Sequence, residues 1–337
     1  MQTLWSSVSQ WNSLRKALPQ RRMAQRTTKM LFRQSPGNQK MTITSIAKKI
    51  LPAVAYESIV RKKKERERSR LARLPKVSET RFTQILTDDL RLQDGDVVFV
   101  HSSLDQLNLD FPFYTILTLL RDVIGPQGTM LFPTYPNHRI SSYEYLLQGK
   151  VFDVRRTPSY AGLLTEFARK QPAAVRSLHP TKSVCAIGPL AGELTKTHQN
   201  SRYPYDSGSP FSKLTEHKGK IVGLGVWTSR LSFVYCVDDA LKNDFPVPVY
   251  HERVFAVPCI DDEGRTQIVE TYAHNMKVID AHEGPNFFRT HVAPDICADL
   301  MIEGMKFFRA DARRLFDDLM ELAERGVTVY PRSVYRK

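Results

Sequence analysis

The stretch Asp96-Val97-Val98-Phe99-Val100-His101, continued by Ser102-Ser103-Leu104, decides the fold class. Asp94-Gly95 supplies a turn signal before it, and four apolar residues then follow without polar alternation. That pattern is a strand buried on both faces, of the kind that lies between layers of helices. Downstream, residues 113–124 carry a helical apolar period that stops at Gly125-Pro126, and residues 129–132 read as a second strand. Ser159 is expected to open a helix bearing Leu163, Leu164, Phe167 and Ala168. Residues 183–187 and 220–226 are further strands, with a helix over 232–241. Beyond Pro248, residues 253–260 and 267–272 flank Asp261-Asp262-Glu263-Gly264 as a hairpin. The end, residues 301–324, is expected to be one helix with Phe307, Phe308, Leu315 and Leu319 on its packing stripe. Short apolar runs alternating with helical periods predict an α/β domain.

The 337 residues, 42% of them apolar, are ample for a sizeable core. The formal charge of +14 is distributed unevenly. Residues 1–80 hold 19 Lys and Arg against four acids, a net of +15, while residues 81–337 are close to neutral at −1. The chain is therefore read as a basic, partly disordered arm (1–80) and an enzyme-like body (81–337). Residues 1–40 contain no acid and no steady apolar period. They are compatible with organelle import, or with an extension upstream of a start at Met41. From Met41, Ile43, Ile46 and Ile50 fall at helical spacing, interrupted by Pro52. The run from Arg61 to Arg70 can grip phosphate or anionic lipid, or can be a solvated helix face.

Several classes are excluded or weakened. No apolar run approaches the ~18 residues of a membrane-spanning helix. Cys185, Cys236, Cys259 and Cys297 are scattered without a CxxC pair, the usage of a reducing compartment such as the cytoplasm. There is no GxSxG, Walker loop or HExxH, and Gly223-Leu224-Gly225 lacks the third glycine of a dinucleotide fingerprint. No metal site is expected.

What remains is a set of loops at strand ends: His101-Ser-Ser-Leu104, Arg176-Ser-Leu-His-Pro-Thr-Lys-Ser183, and Tyr205-Asp-Ser-Gly-Ser-Pro210, with Asp238 and Asp239 on the helix after Val226. With Gly125-Pro-Gln-Gly-Thr-Met-Leu-Phe-Pro-Thr134, Phe152-Asp153, Thr157-Pro158-Ser159, Ser209-Pro-Phe-Ser-Lys-Leu214 and Gly219-Lys-Ile-Val-Gly-Leu-Gly225, they make an ordered series over about residues 86–325. In that series the chain resembles the aminoglycoside 3-N-acetyltransferase (antibiotic N-acetyltransferase) family.

The resemblance implies a three-layer α/β/α fold with a central mixed sheet, unrelated to the GNAT acetyltransferases. It implies acetyl-coenzyme A as donor and a small amine, such as an amino sugar or aminoglycoside, as acceptor. It makes His179 the general base, because imidazole titrates near working pH and an amine attacks only after losing a proton. Ser102, Ser103, Leu104 and Ser177 are expected at the coenzyme. Asp153 is expected at the acceptor's ammonium or, equally, in a turn. The family often carries a His followed three residues later by a Glu on the helix after the GKxxxLG strand. Here those positions are Tyr235 and Asp238, so Asp238 is expected to orient His179 and Tyr235 to meet the substrate. The near-neutral body favours an amino sugar or another small amine over a polycationic antibiotic. The alternatives are a member altered in catalysis by Tyr235, or a non-enzymatic protein tethered by its basic arm to anionic membrane or nucleic acid.

Overall fold

The computed structural model describes residues 53–336. The acid-free stretch 1–40 and the period that starts at Met41 lie outside the described residues. The chain divides into two compact units, Met1–Lys63 and Lys64–Lys337. The described part of the first is the leading section of helix α1 (Ala53–Leu71). Within the second, the rest of α1 docks on the body. Arg70 donates to the Gly304 carbonyl at 2.8 Å, and Lys306 donates to Glu67 at 3.0 Å. Arg70 and Lys306 together hold the Glu67 carboxyl down at about 2. Leu71 and Val77 are buried in the core, so the compact body begins earlier than the compositional break at 80.

Residues 97–102 do form the buried strand, β1 (Val97–Ser102). It lies near the middle of a seven-stranded mixed sheet with β2 (Thr129–Pro133), β4 (Val175–Arg176), β5 (Val184–Ile187), β6 (Lys220–Leu224), β9 (Cys297–Ile302) and β10 (Met305–Asp311), in the order β4-β5-β2-β1-β6-β10-β9. β1 runs parallel to β2 and β6, and the outer pairings are antiparallel. Alternation along the strands serves two cores. Val97, Phe99, Leu131, Ile221 and Phe308 face one side, where α4 (Tyr235–Leu241) and α5 (Ala312–Glu324) cover them. Val98, Val100, Met130, Val222 and Phe307 face the other, under α2 (Thr115–Ile124) and α3 (Leu163–Arg169). This is the three-layer arrangement, and burial of each large side chain stabilises it by about 1.5–3 kcal/mol. A second sheet, β3 (Phe152–Asp153), β7 (Tyr250–Ile260) and β8 (Thr266–His274), contains the expected hairpin in longer form.

Two expectations are corrected. Residues 301–324 are not one helix: β9 and β10 form a hairpin before α5 begins at Ala312. Glu303 and Gly304 both have positive φ (49° and 71°), a two-residue turn of the type that joins twisted strands. Phe307 and Phe308, placed on one helical stripe by spacing, instead enter opposite cores. Ser159 does not open a helix; α3 starts after Gly162, and Ser159 hydrogen-bonds across to Thr165 at 3.1 Å. Close approach explains one glycine. A Cβ on Gly223 would meet the Phe308 ring at 2.1 Å, where β6 passes β10. Among the described residues, no helix is long and apolar enough to cross a membrane, and all four cysteines are buried free thiols.

Candidate active site

The loop between β4 and β5 carries the Arg-Ser-Leu-His-Pro core, and its first member is a clamp. Arg176 donates to the Thr134 side chain at 3.2 Å, to Ser183 at 3.1 Å and to the Thr134 carbonyl at 2.6 Å. It also reaches the carbonyls of Val154 and Thr157, and its guanidinium lies 4.8 Å over the Phe152 ring. Burial lowers its pKa to about 9. Backbone carbonyls, not an acid, hold this cation and tie the two sheets together.

Ser177 is inside. Its hydroxyl accepts the Val184 N–H at 2.8 Å and donates to His198 Nδ1 at 2.8 Å. His198 Nε2 then donates to the Pro204 carbonyl at 2.9 Å. His179, fully buried, stacks on His198 with ring centroids 4.4 Å apart. Its Nδ1 accepts the N–H groups of Thr181 and Lys182 at 3.3 and 3.0 Å. The proton of the neutral ring is therefore on Nε2, which lies 3.3 Å from Thr271 Oγ1 and beside the Ser201 carbonyl. Burial, then His198 and Lys182, keep the imidazole neutral. Both nitrogens are committed to holding the loop.

The structure does not bring Asp238 to His179. Successive residues of α4 point about 100° apart, and Asp238 turns away to accept from the Tyr330 hydroxyl at 2.9 Å. The neighbouring Asp239 faces the loops instead. It accepts the Tyr205 N–H at 2.7 Å and the Tyr250 hydroxyl at 2.7 Å, and burial raises its pKa to about 8. Asp153 is the turn former: its Oδ1 accepts the N–H groups of Arg155 and Arg156 at 2.8 and 2.9 Å. Ser103 is also committed, its N–H to the Leu224 carbonyl at 2.9 Å and its hydroxyl to Asp105 at 2.5 Å. Ser102 and Leu104 are half-buried at the end of β1.

What gathers around Asp239 is a cluster of aromatic and cationic groups. Tyr235 remains in it, half-buried, with its ring 5.1 Å from Tyr205 and 4.7 Å from His274. Tyr250 pairs across the hairpin with His274, ring to ring at 4.7 Å. Lys182 is half-buried with Nζ 4.9 Å over the Tyr135 ring, and no carboxylate among the described residues lies within ion-pair distance of it. Burial lowers its pKa to about 8, against the pull of Asp239. Several buried polar atoms here have no hydrogen-bond partner: Thr181 Oγ1, Ser201 Oγ and His274 Nε2. Buried polar groups are rarely left unpaired without a ligand or water to meet them. In the separate cleft of about 320 Å³ beside Arg176 and Arg265, Arg265 is paired with Asp261 at 2.9 Å. Among the described residues no group of His, Cys, Asp and Glu side chains could hold a metal ion.

Sequence reasoning named Asp239 and Lys182 only as members of the segments that stood out, and missed Tyr250 and His274. Only the period-two face Glu270, Tyr272, His274 of β8 signalled that an aromatic and a histidine share one side of the hairpin.

The family model for aminoglycoside 3-N-acetyltransferase matches residues 99–321. An aminoglycoside N(3)-acetyltransferase III from Salmonella sp is 35% identical over 218 residues, spanning 55% of this chain and 75% of that relative. A solved structure of AAC-VIa bound to sisomicin superposes with a TM-score of 0.61 at 25% identity, covering 75% of this chain and 99% of that one. A binary complex of AAC-IIIb with CoASH superposes with a TM-score of 0.61 at 24% identity, covering 75% and 98%, and shows the shared fold. The expected series of segments and the three-layer sheet are thus found together, and the chain belongs to the aminoglycoside 3-N-acetyltransferase family.

Proposed function

We propose that this protein is an acetyl-coenzyme A-dependent N-acetyltransferase that acts on a small primary amine at the side-chain cluster between α4, the β4–β5 loop and the β7–β8 hairpin. One observation carries the reading: buried polar atoms without partners, around Lys182, Asp239 and three tyrosines, in a chain of this family. The neighbour bound to CoASH and the neighbour bound to sisomicin support a thioester donor and an amine acceptor. Ser102 and Leu104, half-buried at the end of β1, are the residues retained as coenzyme contacts.

The acceptor nitrogen attacks the thioester carbonyl directly, with no covalent enzyme intermediate. Donors aimed at the developing oxyanion lower the barrier. His179, the base expected from sequence, is better suited to positioning: it shapes the turn that presents Lys182, because both its ring nitrogens are already engaged. Lys182 places a cation at the cluster, which favours an amine of low charge over a polycation.

The test is release of coenzyme A thiol from acetyl-coenzyme A with a panel of amino sugars, aminoglycosides and simple amines. Amine-dependent release and a mass gain of one acetyl group on the acceptor are expected. No transfer to any amine, together with no calorimetric binding of acetyl-coenzyme A, would overturn the reading.

A further inference from the structure

We infer that His274, at the end of β8, is the proton acceptor for the incoming amine, an assignment that rests on the acetyltransferase reading above. Three histidines stand at the cluster, and two are spent. His179 receives two backbone N–H groups on Nδ1 and points Nε2 at Thr271, while His198 is held at both nitrogens by Ser177 and Pro204. His274 Nε2 has no partner, although the residue is only 3% exposed. An unpaired buried nitrogen is costly, and a nitrogen left open in a polar cluster is available to a ligand.

The ring is also held in one place. It stacks on Tyr250, its cross-strand partner, at 4.7 Å and 24°, and on Tyr205 at 5.7 Å and 12°. Tyr235 packs on its flank at 4.7 Å. Packing of this kind fixes a catalytic side chain within the tolerance that chemistry needs. Tyr235, on α4, and His274, on the hairpin, are thus brought side by side from two different elements.

The charges around the ring suit the role. Lys182, from the β4–β5 loop, acts on it electrostatically, and the rings of Tyr205, Tyr235 and Tyr250 pack around it, Tyr250 donating its hydroxyl to Asp239 on α4. Burial and the Lys182 ammonium keep the free imidazole neutral, the form that can accept a proton. In the transfer the amine nitrogen bonds to the acetyl carbonyl carbon, and the carbon–sulfur bond breaks with its electron pair leaving on the coenzyme A sulfur. The proton lost by nitrogen goes to His274 Nε2 and then to that sulfur, so the imidazole ends neutral and the thiol is released.

The experiment uses the full chain, wild type beside His274→Gln and His274→Ala, with acetyl-coenzyme A and the acceptor found from the amine panel. Both variants are expected to lose about 10²–10⁴-fold in kcat with the KM for acetyl-coenzyme A nearly unchanged. The acid limb of the wild-type kcat/KM profile should vanish in both. Added imidazole should restore His274→Ala by about tenfold or more, and Tyr235→His in the same background should recover part of the rate. A folded His274→Gln protein within about threefold of wild-type kcat overturns the assignment while the acetyltransferase reading stands. So does a large loss that keeps the acid limb and ignores imidazole, which marks a structural role. A wild-type protein inactive on the whole panel removes both readings.

Discussion

Asp238 and Asp239 are neighbours on α4, yet they serve two different regions of the molecule. Asp239 faces the cluster of Tyr205, Tyr250, Lys182 and His274, where several polar atoms lack partners. Asp238 looks toward α5, into a cavity of about 10 Å³ lined mainly by Val234, Val237, Phe245, Leu319 and Val329, and is met by the Tyr330 hydroxyl. Burial raises both carboxyls above the usual range, Asp238 well above it and Asp239 to about 8. A displaced pKa therefore marks burial on both sides of the helix and chemistry on neither. Unpaired polar atoms and half-buried tyrosines distinguish the working side.

The sharpest way to break this comparison is to truncate each carboxylate. Asp239→Ala is expected to lower kcat/KM by about 100-fold, because Tyr250 and the Tyr205 N–H lose their acceptor. Asp238→Ala should leave kcat/KM within about threefold and cost about 1–3 kcal/mol of stability, read from urea unfolding. Equal kinetic losses in the two variants would erase the distinction.

Acid titration comes next. Burial lowers His101 and His198 to about 3 and His282 to about 4, below the ordinary 6.5. The unfolded imidazoles take protons first as pH falls, so this stability is complete above about 6.5 and is lost toward pH 4, by up to about 1.4 kcal/mol per unit for each histidine. Asp239 has the opposite sign. Raised to about 8 in the fold, it favours folding below its unfolded value of 3.8, and that contribution is lost as pH rises through 8. Melting curves from pH 5 to 8 should show Asp239→Asn gaining on wild type as pH rises, while both lose stability below pH 6. A constant difference would contradict the burial argument.

A smaller effect comes from matched hydroxyl deletions. Tyr330→Phe and Tyr250→Phe each remove one hydrogen bond to a carboxyl and should each cost about 1–2 kcal/mol. Only Tyr250→Phe should also shift the pH profile of kcat/KM. The smallest is Lys182→Met, expected to lower KM about fivefold more for a multiply charged amine than for a singly charged one, an advantage that fades with added salt.

Much of the fold was legible because its signals are local. β1, β2, β5 and β6 read as apolar runs, and the β7–β8 hairpin showed its turn. The β9–β10 hairpin was not legible. Phe307 and Phe308 satisfy a helical stripe as well as a strand buried on both faces, and the turn at Glu303-Gly304 is only two residues long. The site was read less well. His179 was located in its loop, but its commitment to Thr181, Lys182 and Thr271 depends on partners that no spacing rule exposes.

The sequence by itself determined the α/β alternation, the separation of a basic arm from a near-neutral body, and the family series from His101 to Gly225. Each follows from composition or from periods a few residues long. Only the tertiary structure decided which of two adjacent aspartates faces Tyr205 and Tyr250, that His274 keeps a free nitrogen beside them, and where Arg176 anchors its charge. The physical reason is range. A rotation of about 100° per residue on α4 and the folding of a distant hairpin over the loop set those contacts, and neither is encoded in the residues nearby.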